Sequence, residues 1–180
     1  LVMDMIQRYG ANFKVSFSIS GSALEQFALH APEVIESFQK LAKTGCVEFL
    51  AETYAHSLAS LSDTDEFERQ VRRHVARMEE LFGQKPVTLR NSSLIYSDQI
   101  GERVAAMGFE SMLTDGAKHV LGWKSPNFVY TNVMNPRLKL LLKNSRLSDD
   151  LTLRFSDHSW HEWPLTADKY ARWLKDSTRD

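Results

Sequence analysis

One cysteine, Cys46, stands among 180 residues. An internal disulfide is therefore excluded, which fits a reducing compartment, and a cytoplasmic location is expected. No apolar run approaches the ~18 residues that would suggest a membrane span. The N-terminus, Leu1-Val2-Met3-Asp4-Met5, lacks a basic region followed by an apolar stretch, so it does not read as a signal peptide. Neither sign of charge is in excess: Lys and Arg number 22, Asp and Glu 23. That balance gives no electrostatic reason to expect nucleic acid as a partner. There is no His-x-x-x-His pair and no Cys/His cluster, so neither a metal site nor a cofactor is expected. Internal repeats and low-complexity segments are absent as well.

Hydrophobic residues make up 43% and charged residues 25%, the balance of one ordinary soluble domain with a buried core. Strand and helix patterns alternate. Residues 13–19 alternate apolar and polar side chains, as a strand does. Pro32 suits a first helical position, with Val34, Ile35, Phe38, Leu41 and Ala42 on one stripe and Gly45 behind them. Residues 46–50 read as the second strand. Phe67, Val71, Val75, Met78 and Phe82 then define the clearest helix, with Asp63 or Thr64 to cap it and Gly83 to end it. Its basic face is interleaved with Glu66, Glu68, Glu79 and Glu80, which marks a solvated face. Residues 87–90 form the third strand. Ser97 or Asp98 starts a helix closed by Gly108, and residues 109–113 form the fourth strand. The order βαβαβαβ predicts a parallel sheet with right-handed crossovers. Farther on, residues 118–126 read as a long loop and 138–142 as a strand. A helical lean covers residues 147–155, and Thr166 caps a final helix.

Polar residues gather after the strands, and the helix-to-strand turns are plainer. This asymmetry is expected of a (β/α) barrel whose site lies at the strand C-termini. Glu48 alternates with Val47 and Phe49 and can point into such a barrel, as a structural carboxylate or a substrate contact. Glu52 and His56 follow the second strand, Ser93 the third, and Asp115 and His119 the fourth. A His in such a place acts either in packing or at a ligand. Asp115-Gly116 suits a turn equally well. Ser93 lies in no Gly-x-Ser-x-Gly elbow. Trp123, Phe128, Tyr130, Trp160 and Trp163 are dense for their region. Aromatic faces stack on sugar rings as well as packing cores, and Trp123, inside a polar loop, is the best candidate to face a ligand.

The segment Arg90-Asn91-Ser92-Ser93-Leu94-Ile95-Tyr96 resembles a motif of glycoside hydrolase family 57, the α-amylase-like branch, usually written Arg-Asn-Thr-Glu-Leu-Ile-Tyr. The run from Gly45-Cys46-Val47-Glu48 to His56-Ser57-Leu58, residues 13–21, residues 115–126 and Trp163-Pro164-Leu165-Thr166 carry the same resemblance. It implies an incomplete, parallel (β/α)7-type barrel over residues 1–180 as a single domain, acting on α-glucans by a retaining mechanism. The Glu of the motif is the family's nucleophile, and here its position holds Ser93. Glu48 matches the glutamate of the family's second motif, which faces substrate. By their place after the strands, Glu52, His56, Asp115 and His119 join it as candidate substrate-binding residues, and Trp123 does so by its place in a polar loop. The family's His-Gln-Pro motif is absent, and its Met-Asp-Tyr-Glu-Thr-Phe-Gly motif would be expected just beyond Asp180.

The expectation is thus an α-amylase-like scaffold without hydrolytic activity, lacking its first and last strands. One rival is a non-catalytic glucan-binding or regulatory protein. A second is a metal-dependent polysaccharide deacetylase, suggested by Thr114-Asp115-Gly116. Glu48, Ser93 and Asp115 are expected on adjacent parallel strands, facing one cleft. Self-association is expected through sheet edges that a closed barrel would not have, one of them at residues 13–19.

Overall fold

The computed structural model describes residues 1–178. Helix α1 (Val2–Tyr9) leads to strand β1 (Val15–Phe17), followed by α2 (Gly21–His30) and α3 (Pro32–Ala42). Strand β2 (Val47–Phe49) runs parallel to β1, with Ser16 opposite Glu48. The long helix α4 (Thr64–Phe82) precedes β3 (Thr88–Arg90). Then come α5 (Asp98–Ala106), β4 (Ser111–Asp115), the short α6 (Lys118–Leu121), β5 (Val129–Thr131) and β6 (Lys139–Lys143). Helices α7 (Ser145–Thr152) and α8 (Ala167–Asp176) finish the described chain.

Strands β3, β4 and β6 are parallel neighbours, and β5 lies antiparallel along the outer side of β6. A parallel bridge from Ala51 to Leu89 joins β2 to β3. Two hydrogen bonds make that seam: Ala51 N–H to Thr88 O at 2.9 Å and Arg90 N–H to Ala51 O at 2.7 Å. The strands thus follow the order β1-β2-β3-β4-β6-β5, with β1 and β5 outermost.

Alternation along each strand decides what faces what. Val47 and Phe49 are buried among the helices, and the Phe49 ring stacks on Phe82 of α4 with centroids 4.2 Å apart. Glu48 points to the other face. There Glu48 Oε2 accepts from Ser16 Oγ at 3.1 Å and Oε1 accepts from Thr88 Oγ1 at 2.7 Å. Thr88 Oγ1 also meets Ser111 Oγ at 2.8 Å, so a polar row crosses four parallel strands.

Two apolar cores lie on the helical side. One gathers α1 to α3 against β1 and β2, and the other gathers α5 against β3, β4 and β6. Helix α4 spans both: Phe67 and Val71 enter the second core, Met78 and Phe82 the first. Its ends are where the sequence puts them. Asp63 accepts from the Glu66 N–H at 3.0 Å, and Gly83 takes the left-handed conformation, φ 67°. Its basic face is paired, Arg69 with Glu66, Arg72 with Glu68 and Arg77 with Glu80.

Several elements depart from expectation. Helices α1 and α2 were not foreseen. Ser20 caps α2 by accepting from the Ala23 N–H at 3.2 Å. The 118–126 segment is not wholly loop, since α6 occupies its start. Asp115 is the last residue of β4, because that strand is shifted two residues beyond the expected 109–113. Strand β5 was missed: Val129 and Thr131 are both exposed, so no apolar alternation announces it. Among the described residues no helix is long and apolar enough to cross a membrane.

The residue that ties these parts together is His74, fully buried on α4. Its Nδ1 accepts from the Glu52 N–H at 3.4 Å, which leaves Nε2–H to donate to Ile19 O at 2.8 Å. Burial holds its pKa below the ordinary histidine value, outweighing the Ile19 bond and the nearby Glu52 charge. The unfolded chain therefore takes up this proton first, at about pH 6.5. Stability is full above that pH and falls as pH drops towards the lower folded value. Urea melts from about pH 7 to pH 5 should show a loss of stability that is smaller in His74→Gln. An unchanged loss in the variant would count against His74 as its source.

Tyr54, just after β2, lies between Gly21 and Arg73, whose guanidinium carbon sits 3.7 Å from the ring centroid. Its hydroxyl donates to Glu25 Oε1 at 2.6 Å. A Cβ on Gly21 would collide with the Tyr54 ring. Gly21→Ala should therefore destabilise the fold by about 1–3 kcal/mol in denaturant titration.

Candidate functional site

The turn after β3 is built by one buried amide. Asn91 Oδ1 accepts from the Ser92 N–H, while Nδ2 donates to Ser60 Oγ and to Ile95 O, each at 2.9 Å. Ser92 Oγ meets Thr53 Oγ1, also at 2.9 Å, which fastens the turn to the segment following β2. Between these ties Ser93 adopts φ 55° and Leu94 φ 56°. Non-glycine residues enter that region at a cost of about 1–3 kcal/mol each and stay only where the surroundings over-determine them. Such outliers concentrate at functional sites, and a third, His56 at φ 52°, follows β2.

Ser93 is exposed and lines a cleft of about 470 Å³ together with Asp115 and His119. The walls are largely apolar, with Leu94, Leu121 and Leu142 among them, and two aromatic side chains, Tyr96 and Tyr130, supply flat faces. Tyr96 OH donates to Asp98 Oδ1 at 2.8 Å and accepts from Asn132 Nδ2 at 2.7 Å. Burial, then the Asp98 bond, pushes its phenol up to about 12, so it remains a neutral donor. Asp115 Oδ1 accepts from Ser145 Oγ at 3.3 Å.

The seven candidates of the sequence divide into separate groups. Ser93, Asp115 and His119 share the cleft. Glu52 and His56 form a pair at the end of β2: Glu52 is 2% exposed, accepts from Ser18 Oγ at 3.0 Å and lies 2.8 Å from His56 Nδ1. Glu48 does not line the Ser93 cleft, contrary to the expected grouping with Ser93 and Asp115. It sits in the middle of β2, where Ser16 and Thr88 engage it. Trp123 is 91% exposed, outside the cleft lining. Trp160 and Trp163 are occupied in packing, Trp160 edge-on to Trp173 and Trp163 stacked on His158. Asn91, Tyr96 and Asn132 were not singled out. The first two lie inside the motif that pointed to Ser93, whereas Asn132 gives no sequence signal.

Among the described residues no group of three or more His, Cys, Asp or Glu side chains converges as a metal would require. Asn91→Ala would remove the partner of the buried Ser92 N–H and of the half-buried Ser60 Oγ and Ile95 O, and release the strained turn. It should cost about 1–3 kcal/mol by urea titration and raise the protease sensitivity of residues 91–95. Unchanged sensitivity would mean that the turn holds itself.

The profile described as Glycosyl hydrolase family 57 matches residues 2–180. A Methanocaldococcus jannaschii protein named "Putative alpha-amylase" is 44% identical over 175 residues, covering 97% of this chain and 37% of the relative. The chain thus spans about a third of that relative's length. Among solved structures, 4-alpha-glucanotransferase from Thermococcus litoralis aligns over 99% of this chain and 27% of its own, with a TM-score of 0.78 and 15% identity. A "putative polysaccharide deacetylase" from Mycobacterium smegmatis aligns over 99% and 57%, at TM-score 0.68 and 18% identity. A GH57-type branching enzyme from Pyrococcus horikoshii aligns over 81% and 40%, at 0.63 and 12%. At such identities the structures speak for the fold alone, an α/β architecture with a parallel sheet. The profile match and the archaeal relative carry the assignment: the chain belongs to glycosyl hydrolase family 57.

Proposed function

We propose that the Ser93 cleft is an α-glucan site on part of a (β/α)7-type barrel, and that this chain binds glucan without hydrolysing it. The carrying observation is Ser93 itself. It stands exposed in the cleft wall, on a strained turn that a buried asparagine maintains. A retaining glycosidase needs two carboxyl groups ~5–5.5 Å apart, one attacking the anomeric carbon and one protonating the leaving oxygen. A hydroxyl at the attacking position lacks both the charge and the leaving ability of a carboxylate. Asp115 and His119 then serve to orient sugar hydroxyls, and Tyr96 and Tyr130 to carry the apolar face of a ring. Glu52 and His56 extend the polar rim beyond β2. The family membership supports a glucan as the ligand. Strands β1 and β5 are the sheet's outer strands, and we include self-association along them in this reading.

Calorimetric titration with maltoheptaose should show binding. Tyr130→Ala should weaken it by about 3–10-fold, the contribution of one aromatic face. Starch, maltooligosaccharides and an activated aryl α-glucoside should yield no product above buffer. Absence of binding at millimolar maltoheptaose overturns the glucan site, and turnover abolished by Ser93→Ala overturns the non-hydrolytic reading.

A further inference from the structure

Beyond the loop that closes the Ser93 cleft lies a second cavity of different character. It measures about 540 Å³. Leu121 lines both cavities, so residues 115–122 form the partition between them. On the Ser93 side the partition shows Asp115, His119 and Val120. On the far side it shows Gly116, Lys118 and Gly122. Lys118 and Lys124 approach the second cavity from this loop, and Arg146 from the first turn of α7. Trp173 of α8 supplies an aromatic wall.

The charge of this cavity is lopsided. Three cationic side chains line it against one carboxylate, Asp176, which has a partner of its own. Lys118 and Lys124 join no ion pair among the described residues. Arg146 acts at a distance on Glu162, but that carboxylate is already bonded to Lys169 at 2.6 Å. Cations that line one concave, partly apolar cavity in excess over its carboxylates repel one another. The repulsion is relieved by a bound oxyanion. The lining also carries the hydrogen-bonding side chains Asn127, Asn144 and Ser145 beside apolar Leu121 and Leu147. Two of them are held in place: Asn144 Nδ2 donates to Asn127 Oδ1 at 2.9 Å, and Asn127 Nδ2 donates to Ser177 O at 2.9 Å.

We propose that this second cavity binds a phosphate monoester carried by a saccharide whose sugar ring lies in the Ser93 cleft. The two cavities adjoin at Leu121, and one ligand would cross residues 115–122, which separate them. The largely apolar cleft, with its two tyrosines and no Lys or Arg in its lining, suits the ring, and the Lys118–Lys124–Arg146 cavity suits the ester. The inference rests on the saccharide reading of the Ser93 cleft for its sugar half, and on the cationic cavity alone for its phosphate half.

Isothermal titration at low ionic strength separates these halves with three probes: inorganic phosphate, maltoheptaose, and maltoheptaose phosphorylated at a primary hydroxyl. The phosphorylated oligosaccharide should bind at least tenfold more tightly than the neutral one. The advantage should shrink on raising salt from about 20 to about 200 mM, because the contacts are partly exposed ion pairs. The double variant Lys118→Ala, Lys124→Ala should lose the advantage and keep the neutral affinity within about twofold. Arg146→Lys should retain part of the advantage and Arg146→Ala less. Equal affinity for the two oligosaccharides overturns the proposal, as does an advantage that survives in the double variant. Phosphate binding that the double variant abolishes, with no binding of either oligosaccharide, overturns both the glucan site and the saccharide half while leaving the oxyanion cavity. Neutral binding without any phosphate gain overturns the cavity and leaves the glucan site.

Discussion

A single imidazole joins the strand ends to the helical layer. His74 contacts the backbone after β1 through Nε2 and the backbone after β2 through Nδ1, and it sits at the middle of the helix that spans both cores. Because Nδ1 must accept and Nε2 must donate, only the neutral ring of one tautomer satisfies both. Removing that ring from water is what makes its charged form costly. The segments that carry Glu52, Thr53 and His56 are therefore positioned from below by α4. Thr53 passes that position on to Ser92 of the next strand end. The geometry of the cleft descends from this chain of contacts.

A second constraint acts locally. Left-handed backbone at two consecutive non-glycine residues is expensive, and the turn at Ser93 and Leu94 has no glycine to relieve it. The buried Asn91 compensates by satisfying a donor and an acceptor of the turn while anchoring to Ser60. Rigidity here comes from polar burial, not from apolar packing. It extends to the phenol of Tyr96, which Asp98 and Asn132 hold between them. Each of these groups has its partner, and among the described residues no buried side-chain nitrogen or oxygen is left without one.

The sequence made the central architecture legible because its signals are periodic and local. Asp63, Gly83, Ser97 and Thr166 mark helix ends through hydrogen bonds or a backbone conformation that reach at most a few residues. Strands β2, β3 and β6 lie within a residue or two of the apolar runs expected to form them, though the run at 138–142 carries no alternation of its own. What escaped is what depends on distant partners. Helix α1 is eight residues long and amphipathic, with Ile6 fully buried and Val2 and Met3 against the same core, but no capping residue marks its start. Strand β5 exists because β6 offers it a hydrogen-bonding edge. The division of the candidates between cleft, strand centre and surface was equally invisible, since it depends on which side chain another strand has already claimed. Glu48 shows this best: its spacing gave the correct face, but not the two hydroxyls that occupy it.

Those hydroxyls give the polar row a direction. A carboxylate can only accept, so both Ser16 and Thr88 must turn their protons towards Glu48. A threonine has one proton. Having committed it to Glu48, Thr88 can only receive from Ser111, whose proton must then point along the row as well. The orientation of the three hydroxyls of the row is thus decided by one charge, two strands away from the last group it governs. At Ser16 and Thr88 the O–H bonds are spent on Glu48, and at Ser111 on Thr88, so the row is held together by its own protons.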